Sequence, residues 1–352
     1  REYAVPVVTV IEATLDHVSR IFERINNTGT KLTIYDLMVA ATWSLSFDLR
    51  TTVDETLKEL KTKDFNSISP IAVLQILAAQ LSGSVTRESI LQLREYKAEE
   101  LSQAMIEVRE ALRKAVDFLI NEVNVKASAF LPYERQLVAI SYTYARLKKL
   151  SAAQIKNLRR WFWRTSFSER YRRGGEGLFD EDLSKVLETV DDEASLVRFG
   201  DSPGLAQLIN AEFRKTSALS NAFIAFLASQ SPQNLVNGAS IDTGKSLSSY
   251  NRKEFHHIFP QAFLKGRGVP KERINSLVNF CILSAEQNKQ ISSRSPGEYV
   301  KELKVQLGHN FESVLLSNLI PPEAIGSLLN NDYEAFLDIR SQHIHKILAT
   351  CL

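Results

Sequence analysis

Apolar positions recur every three to four residues along most of this chain, the spacing of amphipathic helices. Leu101, Met105, Val108, Leu112, Val116 and Leu119 form the longest stripe and predict one long helix with a charged outer face. Leu15, Val18, Ile21, Phe22 and Ile25 predict a helix that stops at Asn26, Asn27 and Gly29, where glycine suits a left-handed helix end. Another begins after Thr33, capped by its hydroxyl with Asp36 three positions on, and runs through Leu37, Ala40, Ala41 and Leu45. Further helices fit Val53 to Lys61, Pro70 to Leu81, Arg87 to Leu93, Tyr133 to Lys149 and Ala152 to Thr165. Strand-like runs are few: Tyr3 to Ile11, the stretch EFHHIFP over 254–260, and LVNFCIL over 277–283, the returning strand of a hairpin. SAEQNKQ, residues 284–290, follows as a helix, so strand, strand and helix arrive in order. Residues 230–250 have the Ser, Asn, Gly and Pro density of a linker or long loop, and the last domain boundary is placed there. The expected fold class is mainly α, with a multi-helix region followed by a small ββα unit.

With 352 residues, 44% hydrophobic and 24% charged, the chain can bury the cores of two or three domains, which excludes wholesale disorder. No apolar run approaches the ~20 residues of a membrane span, and no signal-type segment opens the chain. Two cysteines, Cys281 and Cys351, are too few for a disulfide framework or a four-thiolate zinc site. Together these predict a soluble protein of the reducing cytoplasm, with no membrane partner.

Net charge is only +2, so local charge must point to any polyanion partner. Residues 144–177 carry ten Lys or Arg against Glu169 and Glu176, an excess of +8, while 178–201 carry eight acidic residues against Lys185 and Arg198, or −6, so one face of this middle region is expected to attract phosphates and its neighbour to repel them. Within the basic run, SERYRRGGEG over 168–177 sets Arg170, Arg172 and Arg173 around a tyrosine and before two glycines, a loop suited to holding phosphate or equally to a solvated face. Residues 248–310 hold ten Lys or Arg against five Glu, with Arg252, Lys253, Lys289 and Arg294 nearest the histidine pair described next.

His256 and His257 sit side by side in the first of the late strands. Neighbours on a strand point to opposite faces, so the pair serves one site only if it reaches that site from two sides. In a ββα metal fold one member binds a divalent cation, the other takes a proton from the attacking water, and an asparagine on the helix completes the protein ligands. A neutral imidazole, with an ordinary pKa near 6.5, suits the second task. His17, His309, His343 and His345 show no partner spacing.

His256-His257-Ile258-Phe259-Pro260, then Asn279 and, nine residues later, Asn288 resemble the His-Asn-His nuclease motif. The resemblance implies that His257 is the general base, Asn279 the hairpin asparagine that steadies loop and base, and His256 and Asn288 the metal ligands. Histidine at 256, where the motif more often has a carboxylate, implies Mn²⁺ or Ni²⁺ beside Mg²⁺. NFCIL over 279–283, Asn288-Lys289 and Ser295-Pro296-Gly297-Glu298-Tyr299 are similar to the nuclease half of GmrSD-like restriction proteins. IFERINNTGTKLT over 21–33 looks like the tail of their ParB-like nucleotide-binding domain. That domain's Asp-Gly-Gln-Gln-Arg motif is not in the sequence and would lie upstream, so a nucleoside triphosphate is expected only through a preceding segment. The implied organisation is the end of a ParB-like domain over 1–50, a helical domain over 51–240 and an HNH nuclease domain over 241–352. The implied function is a metal-dependent endonuclease acting on foreign, modified DNA in phage defence, as a homo-oligomer or with other proteins of the defence system. The alternative is a catalytically silent DNA-binding or scaffold module, with RNA a distant third.

Overall fold

The computed structural model describes residues 32–201, 203–214, 217–246, 255–283, 291 and 293–352, and over them the chain is mainly helical. The strand expected over 3–11, the helix over 15–25 with its Asn26, Asn27 and Gly29 stop, and the helix over 284–290 lie outside the described residues.

The helix Ile34–Ala41 begins as the sequence demands, with Asp36 N–H donating to Thr33 Oγ1 at 3.2 Å and Thr33 N–H to Asp36 Oδ2 at 2.9 Å. It stops earlier than the apolar spacing suggests. Thr42 turns its hydroxyl back onto the Met38 carbonyl (2.8 Å), a bridge between Ser44 and Phe47 folds the chain away, and Leu45 is left in solvent. Leu49–Lys61, Pro70–Ser82, Arg87–Gln92, Glu134–Leu147 and Ala152–Phe167 cover the other predicted helices, each within a few residues of its expected bounds. The long stripe becomes Ala98–Glu122, with Leu101, Met105, Val108, Leu112, Val116 and Leu119 all buried. Full burial of such a side chain contributes about 1.5–3 kcal/mol, so a charge at Leu112, the middle of the stripe, would unfold the helix from its neighbours.

Ala218–Ser229 is apolar all round and buried nearly throughout, as a central helix must be. Phe226 meets Trp163 and Phe167 edge-on at 5.8 and 5.9 Å, locking this helix to Ala152–Phe167. The buried apolar residues form one cluster from Tyr35 to Leu352. The stretch over 230–242 joins it through buried Leu235 and Val236, and Gln233 is tied to Ser317 and Asn318 (3.0 and 2.7 Å).

Charge in the middle of the chain is arranged differently from the sequence expectation. The helix Glu176–Asp191 and the turn Glu193–Phe199, which carry the acidic run, pack on the basic helix Ala152–Phe167. Arg160 and Lys156 both reach Glu193, Gln154 bonds Asp191 at 2.8 Å, and Arg170 grips Asp182. The +8 and −6 stretches therefore meet and partly pair across a contact rather than standing as one attracting and one repelling face.

The late strands are β1 (Phe255–His257) and β2 (Phe280–Ile282), an antiparallel pair with His257 opposite Phe280 and His256 opposite Cys281. β2 is shorter than the predicted run because Leu277–Asn279 forms a 3₁₀ turn. The connection between the strands is no tight hairpin turn but contains two short helices, Gln261–Lys265 and Lys271–Ile274. Pro296–Leu307, Phe311–Ser317, Ile325–Leu329 and Tyr333–Cys351 complete the chain. No helix among the described residues is long and apolar enough to cross a membrane.

Candidate functional site

A three-residue strand pair is marginal alone, so other elements must hold it. One is a segment far upstream, residues 211–213. Leu277 N–H donates to the Ala211 carbonyl at 2.8 Å, Phe213 N–H donates to the Asn275 carbonyl at 2.7 Å, and Glu212 bridges Ser276. Phe213 stacks on Phe280 with ring centres 4.1 Å apart, and Phe255 of β1 touches both Phe213 and Phe130. The helical region thus supplies an outer rung and an aromatic wall to the histidine-bearing strands.

Side chains that bond to backbone fix the rest. Asn279 is fully buried; its Oδ1 accepts from Phe259 N–H (2.8 Å), and its Nδ2 donates to the carbonyls of Phe259 (3.2 Å) and Ile274 (3.0 Å). It clamps the chain just beyond the histidine pair. Tyr299 donates its hydroxyl to the Ile258 carbonyl at 2.7 Å, from a helix set by the rest of its motif. Glu298 accepts from Ser295 N–H (3.1 Å) at the helix start, Pro296 occupies the first turn, and a Cβ on Gly297 would lie 2.5 Å from the Leu329 carbonyl. From the last helix, fully buried Arg340 donates to the carbonyls of Val278, Phe280 (2.9 Å), Asn318 (2.8 Å) and Leu319 (3.2 Å). Burial lowers its pKa to about 10, which still leaves it charged at neutral pH.

His257 lies half-buried on β1, its ring 4.3 Å from that of Phe280 and its Nε2 3.0 Å from Asn275 Oδ1. Burial lowers its pKa below the ordinary histidine value, and the Asn275 bond opposes that shift. The imidazole is therefore neutral at neutral pH, the form that can accept a proton. Glu212 stands behind Asn275; its pKa is lowered chiefly by Arg214, and further by the Asn275 side chain. His256 occupies the neighbouring position, opposite Cys281, whose thiol donates to the His256 carbonyl at 3.6 Å. That thiol is fully buried, which pushes its pKa up to about 12 and keeps it protonated.

The structure brings His256, His257 and Asn279 together on and beside one strand pair, while Asn288, Arg252, Lys253 and Lys289 lie outside the described residues. Among the described residues no group of three His, Cys, Asp or Glu side chains is placed to hold a metal ion. Arg294 is paired with Glu302 at the surface. The expected phosphate-binding role of Arg170 needs correction: its Nε and Nη2 atoms sit 2.5 and 2.7 Å from the two oxygens of fully buried Asp182, leaving its guanidinium occupied inside the protein. Arg172 and Arg173 are exposed, Arg172 beside Glu169 at 3.1 Å. Arg172, Glu169, Asn210, Glu212, Arg214 and Glu272 border an open cavity of about 900 Å³, which joins the loop over 168–177 to the segment behind Asn275. Sequence reasoning missed Asn275, Glu212 and Arg340, for no local pattern marks a partner 18, 45 or 60 residues from the strand position it serves.

No family model matches the chain. It is 25% identical over 302 residues to Uncharacterized protein MJ0686 of Methanocaldococcus jannaschii, an alignment covering 82% of this chain and 50% of that protein. The chain thus spans about half the length of the relative it matches, whose name states no activity.

Proposed function

We propose that this chain is a metal-dependent DNA endonuclease of the His-Asn-His type, similar to the nuclease half of GmrSD-like restriction proteins and acting on foreign, modified DNA. The observation that carries the reading is the arrangement around Asn279. A buried amide clamps the backbone beyond the histidine pair, and His257 stands as a neutral imidazole on the adjoining strand. In the proposed reaction His257 takes a proton from a water while that water's oxygen attacks phosphorus. The bond from phosphorus to the leaving sugar oxygen then breaks.

His256, with Asn288 by resemblance, would hold the cation. An imidazole nitrogen and an amide oxygen suit a first-row or magnesium dication that keeps water and phosphate oxygens as its other ligands. Such an ion, when bound, supplies Lewis-acid stabilisation of charge on the phosphate. DNA contacts fall to Arg172 at the open cavity and Arg173 beside it in the same loop, to Arg294, and to Arg252, Lys253 and Lys289.

The test is incubation of supercoiled plasmid with the protein and Mg²⁺, Mn²⁺ or Ni²⁺, with and without chelator. Metal-dependent appearance of nicked circles supports the reading. Intact plasmid with all three metals, modified and unmodified DNA alike, overturns it.

A further inference from the structure

Asn275 belongs to no motif, yet among the described residues its side chain hydrogen-bonds the imidazole of His257. The contact decides which ring nitrogen carries hydrogen. A carboxamide oxygen only accepts, and a neutral imidazole has one N–H and one lone pair. With Asn275 Oδ1 3.0 Å from Nε2, the hydrogen belongs on Nε2 and the lone pair on Nδ1.

The amide itself is oriented by its surroundings. The backbone of Asn275 is pinned by Phe213 N–H at 2.7 Å, and Glu212, bridged to Ser276 beside it, presents a carboxylate that also only accepts. The amide NH₂ belongs on the Glu212 side, which leaves Oδ1 for His257. Arg214 holds the Glu212 carboxylate from its other side through Nε and Nη2 at 2.9 and 2.6 Å. Arg214, Glu212, Asn275 and His257 thus stand in series, both Arg214 donors on Glu212 Oε2 and Asn275 Oδ1 on His257 Nε2.

Resting on the nuclease reading above, we propose that Asn275 is a positioning residue for the general base: with Glu212 behind it, it holds His257 as the Nε2–H tautomer and turns the Nδ1 lone pair to the attacking water. Glu212 and Asn275 lie 45 and 18 residues away from the histidine, so the preorganisation is a product of the fold.

The experiment is a long-range ¹H–¹⁵N correlation spectrum of ¹⁵N-histidine-labelled protein above neutral pH, with His257 assigned by its loss in His257→Gln. The parent should show a protonated Nε2 and an unprotonated Nδ1. Asn275→Leu should mix the tautomers and lower kcat for plasmid nicking by about tenfold to a hundredfold, with KM for DNA little changed. The double variant Asn275→Asp with Glu212→Gln exchanges acid and amide while keeping an acceptor toward His257, and should restore both tautomer and rate. A parent spectrum with hydrogen on Nδ1, or an Asn275→Leu spectrum identical to the parent's, overturns the proposal. The spectrum needs no turnover. The expected tautomer in a protein that never cuts DNA sustains the positioning and defeats the nuclease, whereas an unmoved tautomer in a protein that cuts does the reverse.

Discussion

Two arginines, one fully buried and one partly buried, anchor two different regions of this molecule. Arg170, in the glycine-rich loop over 168–177, lies against a carboxylate, Asp182, from a helix only a few residues on. Arg340, in the last helix, meets no carboxylate among the described residues; four backbone carbonyls take its donors, one at the start of β2 and one in the turn just before it. The first pairing neutralises a charge that the sequence displays as part of a basic patch. The second keeps a charge where no patch exists and uses it to hold strand backbone. Clustered arginines therefore mark a tied loop here, while an isolated arginine, invisible as a signal, supports the histidine-bearing strands.

If the strand pair rather than the loop carries the chemistry, the sharpest break comes from His257→Ala. Nicking of plasmid should fall by about 10²- to 10⁴-fold while DNA affinity stays nearly unchanged. Nicking at the parent rate would remove the general base from the scheme. Next in size is Arg340→Met, which leaves buried carbonyls without donors. Urea unfolding should show a loss of about 3–5 kcal/mol, given roughly 1–3 kcal/mol for each buried group left unsatisfied. A loss below about 1 kcal/mol would mean that water or a neighbour replaces the guanidinium.

Arg170→Ala tests the other side of the comparison. It strands Asp182 in the interior and should cost about 3 kcal/mol of stability, whereas Arg172→Ala with Arg173→Ala should cost no more than about 0.5 kcal/mol per site. In DNA binding the order inverts. The exposed pair should flatten the slope of log affinity against log salt by up to about 0.9 per lost phosphate contact. An unchanged slope would leave the loop without a role in binding.

The smallest effect concerns His343, on the same helix as Arg340. Its Nε2 is buried without a hydrogen-bond partner among the described residues, and burial lowers its pKa below the ordinary value, an effect that Glu323 opposes and Arg340 reinforces. The folded protein then binds fewer protons than the unfolded chain. Stability is full above about pH 6.5, the unfolded value, and falls as pH drops through the lowered folded value. Urea midpoints at pH 7.5 and 5 should differ for the parent, and the difference should shrink for His343→Gln, the remainder including the similarly lowered His257.

Much of the helical architecture was legible because its causes are local. The stripe from Leu101 to Leu119 and the cap formed by Thr33 and Asp36 lie within single helices, so spacing along the chain is spacing in space. The histidine pair and Asn279 were legible for a different reason: their residue types and order resemble a known motif. Geometry at those residues was not. β2 shortened because Leu277–Asn279 turned into a 3₁₀ helix, and the charge runs expected to stand apart met each other across a helix contact.

Hydrophobic periodicity and capping chemistry act over a few residues, so the amino-acid order alone settles that the described chain is helical and where most of its helices lie. The imidazole tautomer, the partner of Arg170 and the anchoring of β2 depend instead on groups brought together from 12 to 62 residues apart. Hydrogen bonds and desolvation act at contact distance, and contact between such distant positions exists only once the chain has folded.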